Sequence, residues 1–197
     1  TTLGGKIPTN VSGGLVGLDA RFWATGNADD VVSLHRRGHE VGCHTFSHRR
    51  ACDLDEGSLT AEIARNRTYL HSLDPTMPVE TFAYPFGYGS YARKHQLKSE
   101  FRTCRSIMPG VNSGEVDLQF LRAMPLIDRQ MSRERIDAAF GEAANTNGWL
   151  IFYSHDVADA PSLYGCSPDL MTYTLEAAAR RNMPVLTMAE AFRCARA

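Results

Sequence analysis

The sequence lacks the features that mark membrane-spanning and nucleic-acid-binding proteins. No uninterrupted apolar stretch approaches the roughly 18 residues of a membrane span. The first residues, TTLGG, lack the basic and apolar regions of a signal peptide. The net charge is −1 and no run of Lys or Arg is longer than two, so neither nucleic acid nor an anionic membrane is an expected partner. We therefore expect a soluble protein, and the sequence leaves cytoplasmic and secreted locations both open.

The cysteines do not form a recognisable framework. Their number is odd and no two have the Cys-x-x-Cys spacing, which argues against a set of disulfides and against a structural zinc site. Unpaired thiols that pack as small apolar side chains are the favoured interpretation, and one disulfide remains open. The five are Cys43, Cys52, Cys104, Cys166 and Cys194.

Strands and helices alternate along 197 residues, a length that suits one domain, residues 1–197. This alternation predicts an α/β fold with a mostly parallel sheet. Residues 149–153 are apolar throughout, as in a parallel strand buried on both faces. Strands are predicted within residues 6–16 and at 40–44, 81–84, 101–107, 120–127, 149–153 and 185–188. Helices are predicted to start at the capping residues Asn27, Ser58, Ser132 and Ser167, and a last helix is predicted at the C-terminus.

The stretch that organises the functional interpretation is His44-Thr45-Phe46-Ser47-His48. Two histidines at a spacing of four can face one side of a helical or tight-loop segment and bind one divalent cation. A strand at residues 40–44 would place His44 at its C-terminal end. We therefore predict that His44 and His48 are metal ligands.

Two further polar or irregular stretches also follow strands. The Pro85-Phe86-Gly87 break comes after the strand at 81–84, and Ser154-His155-Asp156 comes after the strand at 149–153. In parallel α/β barrels the C-terminal ends of the strands gather into one site. The sequence therefore predicts that His44, Phe86 and His155 lie close together.

These stretches resemble a known family, the polysaccharide deacetylases of carbohydrate esterase family 4, which share the NodB homology domain. Residues 38–48, GHEVGCHTFSH, are similar to the metal-binding motif of that family, and residues 82–87, FAYPFG, are similar to the motif that forms one wall of its groove. Residues 149–156 resemble the late motif that ends in a catalytic histidine. The resemblance runs from about residue 5 to the C-terminus, in the family's order.

The resemblance implies a fold, a reaction and a role for each site residue. The fold would be a distorted, incomplete (β/α) barrel, similar to a TIM barrel, and the reaction would be metal-dependent hydrolysis of linear amide bonds on an N-acetylated glycan. Zn²⁺ is favoured, and Co²⁺ or Ni²⁺ would suit the same ligands. His155 would be the general acid, since the usual pKa of histidine is near 6.5, and the Phe86 backbone N–H would be an oxyanion donor. Residues expected to bind substrate are Tyr84, Pro85, Phe86 and Tyr88, with Tyr91 and Tyr164 as further stacking candidates.

Two departures from the family pattern keep alternatives open. The aspartate pair that supplies the catalytic base and a third ligand in the family is not present, as if the first βα unit were absent, and Asp29-Asp30 is explained by helix capping. Ala83 stands where many relatives have an arginine. The chain could therefore be a catalytically impaired carbohydrate-binding relative. It could also be a hydrolase of the same fold that acts on other amides or on acetyl esters such as acetylxylan.

Overall fold

Six short strands and six α-helices make up the part of the chain that this computed structural model describes, residues 9–11 and 28–195. Single turns of 3₁₀-helix lie at Ala51–Asp53 and Pro85–Gly87. The elements are β1 (Thr9–Val11), α1 (Ala28–Arg36), β2 (Val41–Cys43), α2 (Glu56–Leu73), β3 (Thr81–Ala83), α3 (Tyr91–Glu100), β4 (Thr103–Arg105), β5 (Met124–Pro125), α4 (Arg133–Thr146), β6 (Phe152–Tyr153), α5 (Pro168–Arg180) and α6 (Met188–Cys194).

The strands form a four-stranded and a two-stranded sheet. In the first sheet the order is β1-β2-β3-β4, and β2, β3 and β4 are parallel while β1 pairs antiparallel with β2. In the second sheet β5 and β6 are parallel. An isolated parallel bridge joins Arg105, the last residue of β4, to Leu121, which precedes β5. The predicted α/β class with mostly parallel strands is confirmed.

Most predicted elements form close to their expected positions. Ser132 and Ser167 cap α4 and α5, as predicted, by accepting hydrogen bonds from the backbone N–H of Arg135 and Leu170. Of the predicted strand within residues 6–16, the structure describes β1 at residues 9–11. The rest of that segment and the predicted cap Asn27 lie outside the described residues.

Three details of the prediction are wrong. Helix α2 begins two residues earlier than predicted, because the Asp55 carboxylate and not Ser58 is its N-cap and accepts from the Ser58 N–H. Residues 185–188 form no strand, since Thr187 and Glu190 make a capping box that starts α6. Residues 149–153 are not buried on both faces, and only Ile151 among them is buried. In the described structure β6 pairs on one side only, with β5, which leaves its apolar residues partly exposed.

The helices cover one face of each sheet. The first sheet packs through Val41, Cys43, Phe82 and Cys104 against the apolar side chains of the helices, chiefly α2 and α3. The predicted apolar face of α2 is confirmed, since Leu59, Ile63 and Leu70 are buried and Leu73 packs at the edge. Helices α4 and α5 pack on each other and enclose a second apolar cluster with β5. Side chains on the opposite face of the first sheet therefore point away from these helices.

Two simpler expectations concern thiols and membrane spans. All five cysteines are free, and Cys43, Cys104 and Cys166 are buried. Among the described residues, no helix has both the length and the apolar composition needed to cross a membrane.

Glu40 links the start of β2 to the last helix. Its Oε1 accepts a hydrogen bond from the Thr81 hydroxyl at 2.5 Å, and its Oε2 accepts from the Ala189 N–H in the first turn of α6 at 2.8 Å. Burial raises the pKa of this carboxyl above its usual value, although the hydrogen bonds oppose the shift. The contact fixes the strand that leads into His44.

We expect Glu40→Ala to lower the free energy of unfolding by about 1–3 kcal/mol, because it leaves the Ala189 N–H and the Thr81 hydroxyl without an acceptor. A raised pKa means that the native state holds the proton more tightly than the unfolded chain. The contribution of the Glu40 carboxyl to the free energy of unfolding therefore falls as the pH rises from its pKa in the unfolded chain through its pKa in the folded protein. Glu40→Gln should abolish that part of the pH dependence. Urea unfolding of both variants at several pH values tests this, and a Glu40→Gln profile identical to wild type would contradict it.

Candidate active site

His44 is fixed by the two strands beside it. Cys43 points into the apolar cluster under the helices, so His44, the next residue, turns to the opposite face of the sheet. Its Nδ1 lies 2.7 Å from the carbonyl oxygen of Ala83 at the end of β3. Only a protonated Nδ1 can donate to a carbonyl, and a neutral ring in this tautomer presents an unprotonated Nε2. That is the nitrogen a metal would need.

The loop between the two histidines has a strained backbone. Thr45 and His48 both have positive φ values, 59° and 57°, and for a β-branched residue such as threonine this is rare. The Ser47 N–H donates to the Glu62 carboxylate at 2.7 Å, which ties the loop to α2. Strain of this kind is retained where surrounding contacts enforce it, and it often accompanies a functional site.

The loop brings the two imidazoles together. Their ring centroids are 4.7 Å apart at an angle of 63°, so the predicted pair is formed on a tight loop and not on a helix. Burial, followed by the neighbouring charge of His48, holds the pKa of His44 well below its usual value. His44 is therefore neutral at physiological pH, which is the form that binds a metal.

The Pro85–Gly87 turn places aromatic rings beside His48. The Phe86 ring centroid lies 4.6 Å from that of His48, and the Arg50 guanidinium lies over both Phe86 and Tyr88, at 5.2 and 5.0 Å. Phe86 and Tyr88 are about half exposed. Tyr84 and Pro85, also expected to bind substrate, are buried and support the turn from beneath, where the Tyr84 hydroxyl donates to the Gln119 carbonyl oxygen.

His155 is close enough to the pair for its charge to act on His44. It is exposed, its ring centroid is 5.2 Å from that of Tyr164, and its charge contributes to the low pKa of His44. Tyr164 is exposed, and Tyr91 on α3 is exposed more fully. Asp156 accepts hydrogen bonds from the N–H and hydroxyl of Ser162, at 2.9 and 2.5 Å, so its carboxylate closes the loop that follows. The structure thus brings His44, His48, Phe86 and His155 to one edge of the strands.

Comparison with known proteins finds a family to which part of the chain is similar. A model of the polysaccharide deacetylase family matches residues 17–101, a range that contains both histidines and the Phe86 turn. This match confirms the resemblance. No curated protein sequence matches the chain significantly.

Solved structures of polysaccharide deacetylases share the fold. A Mycobacterium smegmatis protein assigned to these deacetylases aligns with 94% of this chain and 72% of its own, at 17% identity and a TM-score of 0.65. A family 4 carbohydrate esterase from Streptomyces lividans covers 84% and 74%, at 15% identity and a TM-score of 0.53. The peptidoglycan deacetylase PdaC from Bacillus subtilis covers 92% and 77%, at 17% identity and a TM-score of 0.53. At these identities the likeness concerns the fold.

The histidine pair could supply only part of a metal site. Within residues 28–195 no group of three His, Cys, Asp or Glu side chains is arranged to hold a metal ion. Asp29 and Asp30 lie in the first turn of α1, where acidic residues favour the helix dipole. The neutral His44 and its neighbour fit two positions of a divalent metal, and the remaining ligands have no counterpart among the described residues.

Arg105 is a residue beside the histidine pair that the sequence pattern did not indicate. Arg105 ends β4, is partly buried beside the site, and its charge is felt by His44. The rule that located His44 and His155, that polar residues follow strand ends, did not indicate Arg105 in the predicted strand 101–107. Its position inside that predicted strand, and not after it, concealed the signal.

Proposed function

We propose that this chain is a metal-dependent hydrolase that removes acetyl groups from the amide nitrogens of an N-acetylated glycan, such as chitooligosaccharide, peptidoglycan or an exopolysaccharide. The observation that carries the proposal is the buried, neutral His44 held by Ala83 with His48 at 4.7 Å. The polysaccharide deacetylase match over residues 17–101 supports the reaction class.

In this proposal His44 and His48 are two of the metal ligands. Zn²⁺ is favoured, and Co²⁺ or Ni²⁺ would suit imidazole nitrogen equally well. A bound divalent cation would supply Lewis acidity, which acidifies water and polarises the acetyl carbonyl. The Ala83 carbonyl would keep the His44 ring in the tautomer that binds metal.

The other residues of the site have roles in the bond cleavage. Water adds to the acetyl carbon and gives up a proton, the bond from this carbon to the sugar nitrogen breaks as the nitrogen gains a proton, and the products are acetate and a free amine. No described residue is assigned as the base that takes the proton of the water. His155 would donate the proton that the leaving nitrogen needs. The Phe86 backbone N–H would donate to the acetyl oxygen as negative charge develops on it. Exposed Phe86, Tyr88, Tyr91 and Tyr164 offer faces for sugar rings.

We further infer that the two sheets are parts of one distorted, incomplete (β/α) barrel. The bridge from Arg105 to Leu121 and the parallel pairing of β5 with β6 support this arrangement, because they continue the strand sequence beyond β4. In such a barrel the C-terminal ends of the strands face one site.

A second candidate is a carbohydrate-binding relative without catalysis. It is favoured by the lack, within the described residues, of a third metal-binding side chain beside the two histidines. A third candidate retains the chemistry and acts on acetyl esters or other amides, since the exposed aromatic rings do not distinguish one glycan from another.

The test combines metal content with acetate release. The purified chain is loaded with Zn²⁺, Co²⁺ or Ni²⁺, and acetate release is measured with an N-acetylglucosamine oligomer and with acetylxylan. We expect about one bound metal per chain, faster release from the amide, and loss of release after chelation that the metal reverses. Oligomer binding without acetate release would favour the second candidate, and faster release from acetylxylan would favour the third.

A further inference from the structure

Arg105 lies on the face of the first sheet that is turned away from the helices, beside the histidine pair. It is the register partner of Ala83, whose carbonyl oxygen is hydrogen-bonded to His44. Phe82 and Cys104 precede these two residues and pack under the helices, so Ala83 and Arg105 point to the opposite face. Because alanine has a small side chain, it leaves room beside it for the longer arginine.

No carboxylate of the residues that the structure describes contacts Arg105. Its Nη1 donates one long hydrogen bond, 3.4 Å, to the Ser106 carbonyl oxygen, and its guanidinium lies 5.4 Å from the centre of the Tyr153 ring. Among the described residues no ion pair includes it. A guanidinium has five N–H donors, so within residues 9–11 and 28–195 most of those of Arg105 have no acceptor.

The acidic side chains near this edge are engaged elsewhere. The Glu62 carboxylate accepts from the Ser47 N–H, and the Asp156 carboxylate accepts from Ser162. Loss of water around Arg105 lowers its pKa to about 10, which still leaves it charged at neutral pH. A partly buried cation with unused donors is stabilised by an anion of matching shape, and a carboxylate matches a guanidinium with two parallel hydrogen bonds.

We propose that Arg105 binds a carboxylate of the ligand in this site, in the first place the acetate that the proposed deacetylation releases. The identification of that carboxylate as acetate rests on the proposed function. The existence of a carboxylate-binding site does not. A carboxylate carried by an acidic sugar has the same chemistry and is the alternative source. In either case Arg105 is a binding residue that acts on the charged end of the ligand.

The test measures carboxylate binding without metal, so that a metal cannot hold the anion. ¹³C-labelled acetate, or glucuronate, is titrated into the chelated protein at constant ionic strength, and binding is followed by NMR line broadening. We expect Arg105→Gln to weaken acetate binding about ten- to a hundredfold and Arg105→Lys to weaken it less. Arg122→Gln is the matched control, since Arg122 is exposed and donates to the Pro109 carbonyl oxygen.

Each outcome bears on the proposal. Unchanged acetate and glucuronate binding in a folded Arg105→Gln variant, or no binding of either by wild type, would overturn it. If Arg105→Gln does not fold, wild-type affinity in Arg105→Lys, whose ammonium cannot form the two parallel bonds, would overturn it. Tighter binding of glucuronate than of acetate would assign the carboxylate to the glycan. The protein could bind carboxylate through Arg105 and release no acetate from any substrate. That result would refute the proposed function and support the binding site.

Discussion

Replacing His48 by alanine is expected to remove the bound metal and to reduce acetate release at least about a thousandfold, because metal-assisted chemistry would supply most of the acceleration. His44→Ala should have the same effect on both measurements. His44 is also buried and hydrogen-bonded to the Ala83 carbonyl oxygen, so its loss should lower stability as well. Metal content, acetate release and melting temperature are measured on the same samples.

The control variant is His95→Ala, which removes an exposed imidazole from α3. It should leave metal content, activity and melting temperature at wild-type values. His48→Ala separates chemistry from folding better than His44→Ala, because His48 is only partly buried and follows its strand by five residues. A His48→Ala protein that retains both its metal and its activity would refute the ligand assignment.

Gly87→Ala is expected to lower the free energy of unfolding by about 3 kcal/mol, as the sum of two effects. Gly87 has a φ of 76°, a conformation that costs alanine about 1–2 kcal/mol. A Cβ at this position would lie 2.1 Å from Cγ1 of Ile107, so one of the two segments must move. Because Phe86 is the preceding residue, activity should fall together with stability. Urea unfolding gives the first quantity and acetate release the second.

A double variant separates the two effects of Gly87→Ala. Ile107→Ala removes the atoms that a Cβ at position 87 would meet, and Ile107 is partly exposed, so its own loss is tolerated. The pair should therefore cost less than the sum of the single variants. Gly141→Ala is the matched control within α4, where no atom beyond the neighbouring residues and the backbone of the helix lies within 4 Å of the added Cβ, and it should stabilise by about 0.5–1 kcal/mol. Additive costs in the double variant would contradict the steric argument.

The sequence was sufficient for the features that local chemistry determines. Ser132 and Ser167 cap their helices, and the apolar spacing of Leu59, Ile63 and Leu70 locates the buried face of α2. The spacing of four residues predicted that His44 and His48 lie close together. That Phe86 and His155 lie near this pair was predicted because the C-terminal ends of parallel strands gather at one site.

Features that depend on contacts between distant segments were not accessible in the same way. Residues 185–188 read as a strand because they are apolar, whereas the structure uses Thr187 to start a helix. The burial of residues 149–153 depends on which strands lie beside β6, and no local pattern contains that information. Arg105 became a site residue only when its register with Ala83 was known.

The hydrogen bond from the Ala189 N–H to Glu40 joins residues that are 149 positions apart in the chain. A growing chain that emerges from the ribosome cannot make this contact until the start of α6 has been synthesised, at a rate of about 5–20 residues per second. The strand that leads into His44 therefore receives this support only after 149 further residues have been made. Closing so long a segment costs entropy before the contact repays it, and we infer that the site is completed after the helices that surround it.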